Sequence, residues 1–96
     1  MSIISPFKLS TLEMLANTIA DIDPNITGAV IHRVLLQSQI EDVSYTEQFL
    51  AKRKKLFNAF GKHQKDYKCA NNIVQFIQNI FSQLTDQFLV IRNYAK

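Results

Sequence analysis

The sequence predicts an all-α fold, a single compact bundle of four to five short helices over residues 1–96. Three features lead there. Apolar residues recur at helical spacing along most of the chain. Two glycines and two prolines leave too little turn material for a sandwich or barrel. The composition, 47% hydrophobic and 20% charged, is that of a folded domain and not of a disordered chain. At 96 residues the chain makes one domain, burying roughly 60–65% of the surface its unfolded form exposes.

Residues 1–9 read as an extended lead-in, because Pro6 disfavours helix at the residue before it. Ser10 and Glu13 then form a capping box, with Leu9 and Met14 placed to close a hydrophobic staple. The first helix starts there, carries Leu12, Leu15, Ala16, Ile19 and Ile22, and stops at Asp23-Pro24. A second helix is expected from Thr27 to about Gln39, with Val30, Ile31, Val34 and Leu35 as its apolar stripe. After a polar turn at Glu41–Val43, Ser44 and Glu47 repeat the capping-box pattern, so the third helix is expected over 45–64.

On that helix Phe49, Leu50, Leu56, Phe57, Phe60 and Tyr67 fall within an arc of about 120°. Lys52, Lys54, Lys55, Lys62 and Lys65 fall outside it. Arg53 lies inside the arc and must pair, snorkel or point at something. Gly61 is expected to loosen the final turn. A loop over 66–72 follows, with Asn71 or Asn72 as the next N-cap. The fourth helix carries Ile73, Phe76, Ile77, Ile80, Phe81 and Leu84. Thr85 caps a fifth segment with Phe88, Leu89, Ile91 and Arg92. Its end has no glycine cap or proline, so the sequence predicts a continuation beyond Lys96. The expected core is Leu12, Leu15, Ile19, Val34, Leu35, Leu56, Phe60, Phe76, Ile77 and Ile80.

Several kinds of chemistry find no constellation here. A lone Cys69 excludes an internal disulfide, which fits a reducing cytoplasm. The amino terminus lacks the basic n-region of a signal peptide. No run approaches the ~18 apolar residues of a membrane helix. One cysteine and two distant histidines make no metal set. His32 reads as a rim histidine and His63 as part of a solvated face. Neither Cys69 nor any serine has a base at readable spacing. Cys69 near a helix start is a candidate reactive thiol, though packing is its plainer role. Gly28 and Gly61 stand alone at helix ends, so no phosphate loop forms. Asp21/Asp23 and Glu41/Asp42 flank helix boundaries. The expectation is no enzyme, no metal and no cofactor.

Charge is the anomaly. The formal net charge is +3, yet residues 52–68 hold seven cations and one acid, +6, and the remainder is −3. Lys52, Lys55, Asn58, Lys62 and Lys65 are the candidate contact residues. Three readings stand: the wet side of an ordinary helix, a surface for a protein partner, or a salt-sensitive grip on nucleic-acid phosphates. No zinc-finger, RNA-recognition or homeodomain signature accompanies it. Tyr45, Phe81, Phe88 and Tyr94 would offer apolar surface for homo-oligomers.

Three stretches carry a family resemblance. Residues 26–36, ITGAVIHRVLL, look like a Leu-Thr-Gly-x-x-Ile-x-x-x-Leu opening. Residues 52–60, KRKKLFNAF, with Gln64 behind them, are similar to a Lys-x-x-Arg-Leu-x-Asn-Ala-Leu…Gln core. Residues 71–77, NNIVQFI, match Asn-x-Ile-x-x-Phe-Ile. In this order, over about 20–92, they resemble the amino-terminal helical domains of AbiJ-type abortive-infection proteins of prokaryotes. There the domain precedes a HEPN toxin domain inferred to cleave RNA, and is inferred to sense infection or restrain the toxin. The resemblance implies a regulatory module of phage defence, with a toxin domain or a phage component as partner. The matching positions are Lys52, Lys55, Leu56, Asn58, Ala59 and Gln64. Lys55 stands where the family more often has arginine, so no bidentate phosphate fork forms there. The HEPN signature, an arginine with a histidine four to six positions later, is absent, so RNA cleavage by that route is not expected.

Overall fold

The computed structural model describes residues 2–47 and 49–94, with side chains through residue 84. Among them lie four helices and no strand: α1 (Leu9–Ile22), α2 (Gly28–Gln37), α3 (Lys52–Tyr67) and α4 (Asn71–Tyr94). The expected all-α bundle is the fold.

α1 and α3 run antiparallel. Phe7, before α1, is bonded to Gln64 near the end of α3, while Ile26, after α1, is bonded to Lys52 at the start of α3. α2 and α4 are antiparallel as well, since Ser38 meets Asn72 and Asn79 while Arg33 reaches Gln83. The four helices share one core that includes Leu12, Ile31, Leu35, Leu56, Phe60, Phe76 and Ile80. Phe60 and Phe76 meet edge to face, with centroids 5.2 Å apart and planes at 75°. Of the ten expected core residues only Leu15 and Ile77 are half-buried rather than buried. Ile26, Ile40 and Ala70, which lie outside the helices, join the core.

The lead-in is bound rather than loose. Asn71 accepts from Ile4 N–H and donates to Ser2 C=O, and Gln64 does the same for the N–H and C=O of Phe7. Ala70 N–H donates to Ile4 C=O. Each amide side chain thus pairs with one N–H and one C=O of the lead-in, as a strand neighbour would.

Helix boundaries depart from expectation in four places. α1 begins at Leu9 with Lys8 as an extended N-cap that makes no side-chain cap bond. Leu9 and Met14 are 65% and 58% exposed, so the staple is not buried. The clamp on Phe7 fixes the entry of the chain here, and the box at Ser10 is bypassed. α2 does start at Thr27, whose Oγ1 accepts from Val30 N–H. It stops at Gln37, before the expected Gln39, because Gln39 takes a left-handed φ of 61°. Gln39 N–H then bonds Leu36 C=O and Ile40 N–H bonds Leu35 C=O, a Schellman ending with Ile40 buried against the core.

The largest correction concerns α3. Ser44 caps no helix: residues 43–46 form a turn, and the helix begins at Lys52. The Ser44 hydroxyl is buried and accepts from Asn58 Nδ2, so it is committed to a tertiary bond. Phe49, expected in the apolar arc, is 101% exposed, and Tyr67 is 68% exposed. Gly61 sits inside α3 with ordinary helical φ, and the helix ends instead at Lys68, φ 57°. Lastly, α4 continues through Thr85 as one helix of 24 residues, about 36 Å long, with no glycine or proline to break it. The expected fifth helix is its second half. The side chains of Phe88, Leu89, Ile91, Arg92 and Tyr94 lie outside the described residues.

Candidate functional site

The candidate contact residues on α3 do not form one free cationic face. Lys52 is half-buried and its Nζ donates to Ile26 C=O at 2.8 Å, closing the loop after α1. Asn58 donates to Ser44 Oγ at 3.1 Å. Lys62 donates to Asp66 at 2.6 Å, one turn along the helix, and lies 3.5 Å from Glu41. Those two carboxylates raise the Lys62 pKa, and the bond from Lys62 lowers that of Asp66. Lys55 is half-buried beside His32, Asp42 and Tyr45. Lys65 alone of the five is exposed with no partner among the described residues, in the last turn of α3, where a cation suits the helix dipole.

The cations without partners are mostly others. The side chains of Arg53, Lys54 and Lys68 are exposed and make no hydrogen bond or ion pair among the described residues. Arg53 and Lys54 line a groove of about 390 Å³ between α1 and α3, with Phe57 and Ala16 as apolar surface and Glu13 and Asn17 across from them. Arg53 thus leaves the core by opening onto this groove.

The connection from α2 to α3 carries a feature that residue spacing did not reveal. His32 Nδ1 is 2.9 Å from Asp42 Oδ2. A carboxylate can only accept, so the proton lies on Nδ1. The imidazole stacks on Tyr45, with centroids 4.1 Å apart and planes at 24°. Asp42 is 4% exposed in its side chain, and its Oδ1 has no hydrogen-bond partner among the described residues. Such an orphan costs about 1–3 kcal/mol when left unpaired. Ten residues and a helix end separate His32 from Asp42, so only the Schellman turn at Gln39 brings them together.

His63 is buried, 6% exposed, and not on a solvated face as expected. It stacks on Tyr67 at 4.6 Å. Burial lowers its pKa, against weaker opposing effects from Asn72 and Asp66. The Asn72 amide is given to Ser38 C=O, and His63 Nε2 has no hydrogen-bond partner among the described residues. Cys69 is half-buried. Among the described residues no group of three His, Cys, Asp or Glu is placed to hold a metal ion, and no helix is long and apolar enough to cross a membrane. Of the residues expected to offer apolar surface, Tyr45 is 61% and Phe81 48% exposed; Phe88 and Tyr94 lie outside the described side chains.

Compared with known proteins, the chain matches no family model, no curated protein and no solved structure.

Proposed function

We propose that the chain is a non-catalytic sensor or regulatory module that acts through protein contacts, in the manner inferred for the front domains of AbiJ-type abortive-infection proteins. The observation that carries this is Phe49, whose side chain is wholly exposed in the segment just before α3. A phenyl ring left in water forgoes about 2–3 kcal/mol of burial, which a partner surface would supply. The resemblance supports the same division of labour. Leu56 and Ala59 are buried, and Lys52, Asn58 and Gln64 bond within the fold. The shared pattern is thus a scaffold, and recognition falls to the loop before α3.

The test is a photo-crosslinking amino acid at position 49 in living cells, with position 17 as control. A discrete protein adduct from position 49 alone is expected. No adduct there, or RNase, DNase or hydrolase turnover abolished by one substitution, contradicts the reading. A second reading, nucleic-acid binding, draws on the partner-free Arg53, Lys54, Lys65 and Lys68. Anisotropy of labelled RNA and DNA distinguishes it: affinity that falls steeply with salt favours this reading.

A further inference from the structure

The amino-terminal lead-in is held as a bound peptide is held. Gln64 accepts from Phe7 N–H at 3.0 Å and donates to Phe7 C=O at 2.8 Å. Asn71 accepts from Ile4 N–H at 2.7 Å and donates to Ser2 C=O at 2.9 Å. Ala70 N–H, where α3 gives way to α4, donates to Ile4 C=O at 2.8 Å. Neither amide side chain bonds anything else among the described residues. Ile4 and Phe7 pack against the core, and Ser5 and Pro6 between them are exposed. Anchors three residues apart follow the period of a polyproline II helix and not the alternation of a strand. Pro6, with its fixed φ, and Lys8, at φ −63° and ψ 152°, suit the same conformation.

Three features make this occupant replaceable. All five hydrogen bonds fall on backbone groups of the lead-in, so the grip reads spacing and leaves the residues between the anchors free to vary. The anchors are only half-buried, and among the described residues no fully buried core residue precedes Leu12, so the lead-in can leave without opening the core. Its departure strips the buried Gln64 side chain and the Ala70 N–H of their partners, so the vacated cleft calls for another chain. We propose that the cleft between the end of α3 and the start of α4 is a peptide-binding site held closed by residues 2–7. Its partner supplies a polyproline II segment with apolar side chains three residues apart and a proline before the second. Proline there loses no bond, since none is made to Pro6, and it sets the conformation in advance. The lead-in is then autoinhibitory, because a partner's apparent affinity falls with the fraction of chains that are open. This goes beyond the protein-contact reading at Phe49, which lies at the other end of α3, and a chain that gives no adduct at position 49 would still take the peptide.

Amide NMR of the whole chain, titrated with a capped synthetic peptide of residues 2–8, tests it. The wild type is compared with Ile4→Ser/Phe7→Ser, which loosens the lead-in and leaves the cleft intact. Saturable shifts at Ala70 and its neighbours are expected in the loosened chain with a Kd below about 1 mM. The wild type should bind at least about tenfold more weakly, because its own segment competes. The same peptide carrying Phe7→Ser, and the loosened chain carrying Asn71→Ala as well, should each lose about tenfold in affinity. In the wild type, the Ile4 and Phe7 amides should be at least about 100-fold less protected from hydrogen exchange than those of Leu56 and Phe60. No saturable shift at about 5 mM peptide in the loosened chain overturns the proposal. So does equal affinity in the two chains, affinity unchanged by Asn71→Ala, or equal protection of lead-in and core. A loosened chain that fails to fold overturns it too, because a segment the core needs cannot be displaced. A wild-type dimer in sedimentation that the peptide dissociates overturns it in favour of arm exchange between two copies.

Discussion

Gln39 and Lys68 hold left-handed backbone at φ 61° and 57°, a conformation glycine adopts without a Cβ penalty. Each ends a helix, so neither can relax without undoing a cap. Gln39→Gly should therefore stabilise the fold by about 1 kcal/mol, measured as a rise in urea midpoint at constant slope. These stops were illegible in the sequence because neither residue is one that favours the left-handed region. Thr27 and Asp23-Pro24 were legible, since a hydroxyl cap and a proline act locally whatever lies around them.

His63 gives a pH dependence. An unfolded histidine takes its proton near pH 6.5, and burial lowers the folded value. The unfolded chain thus binds the proton first. The contribution of His63 is full above about pH 6.5 and is lost as pH falls through the folded pKa. Melting at about pH 7.5 and about pH 5.5 should show a loss of stability on acidification that is smaller in His63→Gln. An equal loss in both proteins would exclude His63 as its source.

Among the elements, α3 is the instructive one. Ser44 and Glu47 present a capping box, and Phe49 and Leu50 extend the helical phase of Leu56 and Phe60. Both local signals lose to tertiary structure: Ile40 and Ser44 are drawn into the interior, and Asn58 takes the hydroxyl. A box is a short-range pattern, and nothing within four residues encodes a bond to a residue 14 positions away. The boundary therefore separates two outcomes for one substitution. Phe49→Asp should change stability by no more than about 0.5 kcal/mol, as for an exposed site. Were Phe49 on the buried arc of a longer helix, removing its ring would cost about 3–5 kcal/mol. Thermal or urea unfolding decides between them. α4 shows the reverse case: the threonine at 85 suggested a break, but helical periodicity without glycine or proline runs straight through it.

At the scale of the molecule, the bundle is held together at its edges by side-chain amides and amines as well as by its core. Gln64 and Asn71 bind the lead-in, Asn72 and Asn79 bind the end of α2, and Lys52 binds the loop after α1. The core was largely legible because apolar periodicity encodes it directly. These polar ties were not, because a lysine that satisfies a carbonyl and one that faces solvent look the same in sequence. The His32–Asp42 pair was hidden for the same reason: it exists only once two elements meet.

The central claim is that Lys52, the first cation of the basic stretch and a candidate contact residue, serves the scaffold before it serves any ligand. Urea unfolding of Lys52→Met, with Lys54→Met beside it, tests this most directly. The substitution keeps an apolar stem and removes only the ammonium. The account predicts a loss of about 1 kcal/mol or more at position 52, where Ile26 C=O is left unpaired, and no change at position 54 beyond about 0.5 kcal/mol. Equal, negligible effects at both positions would contradict it.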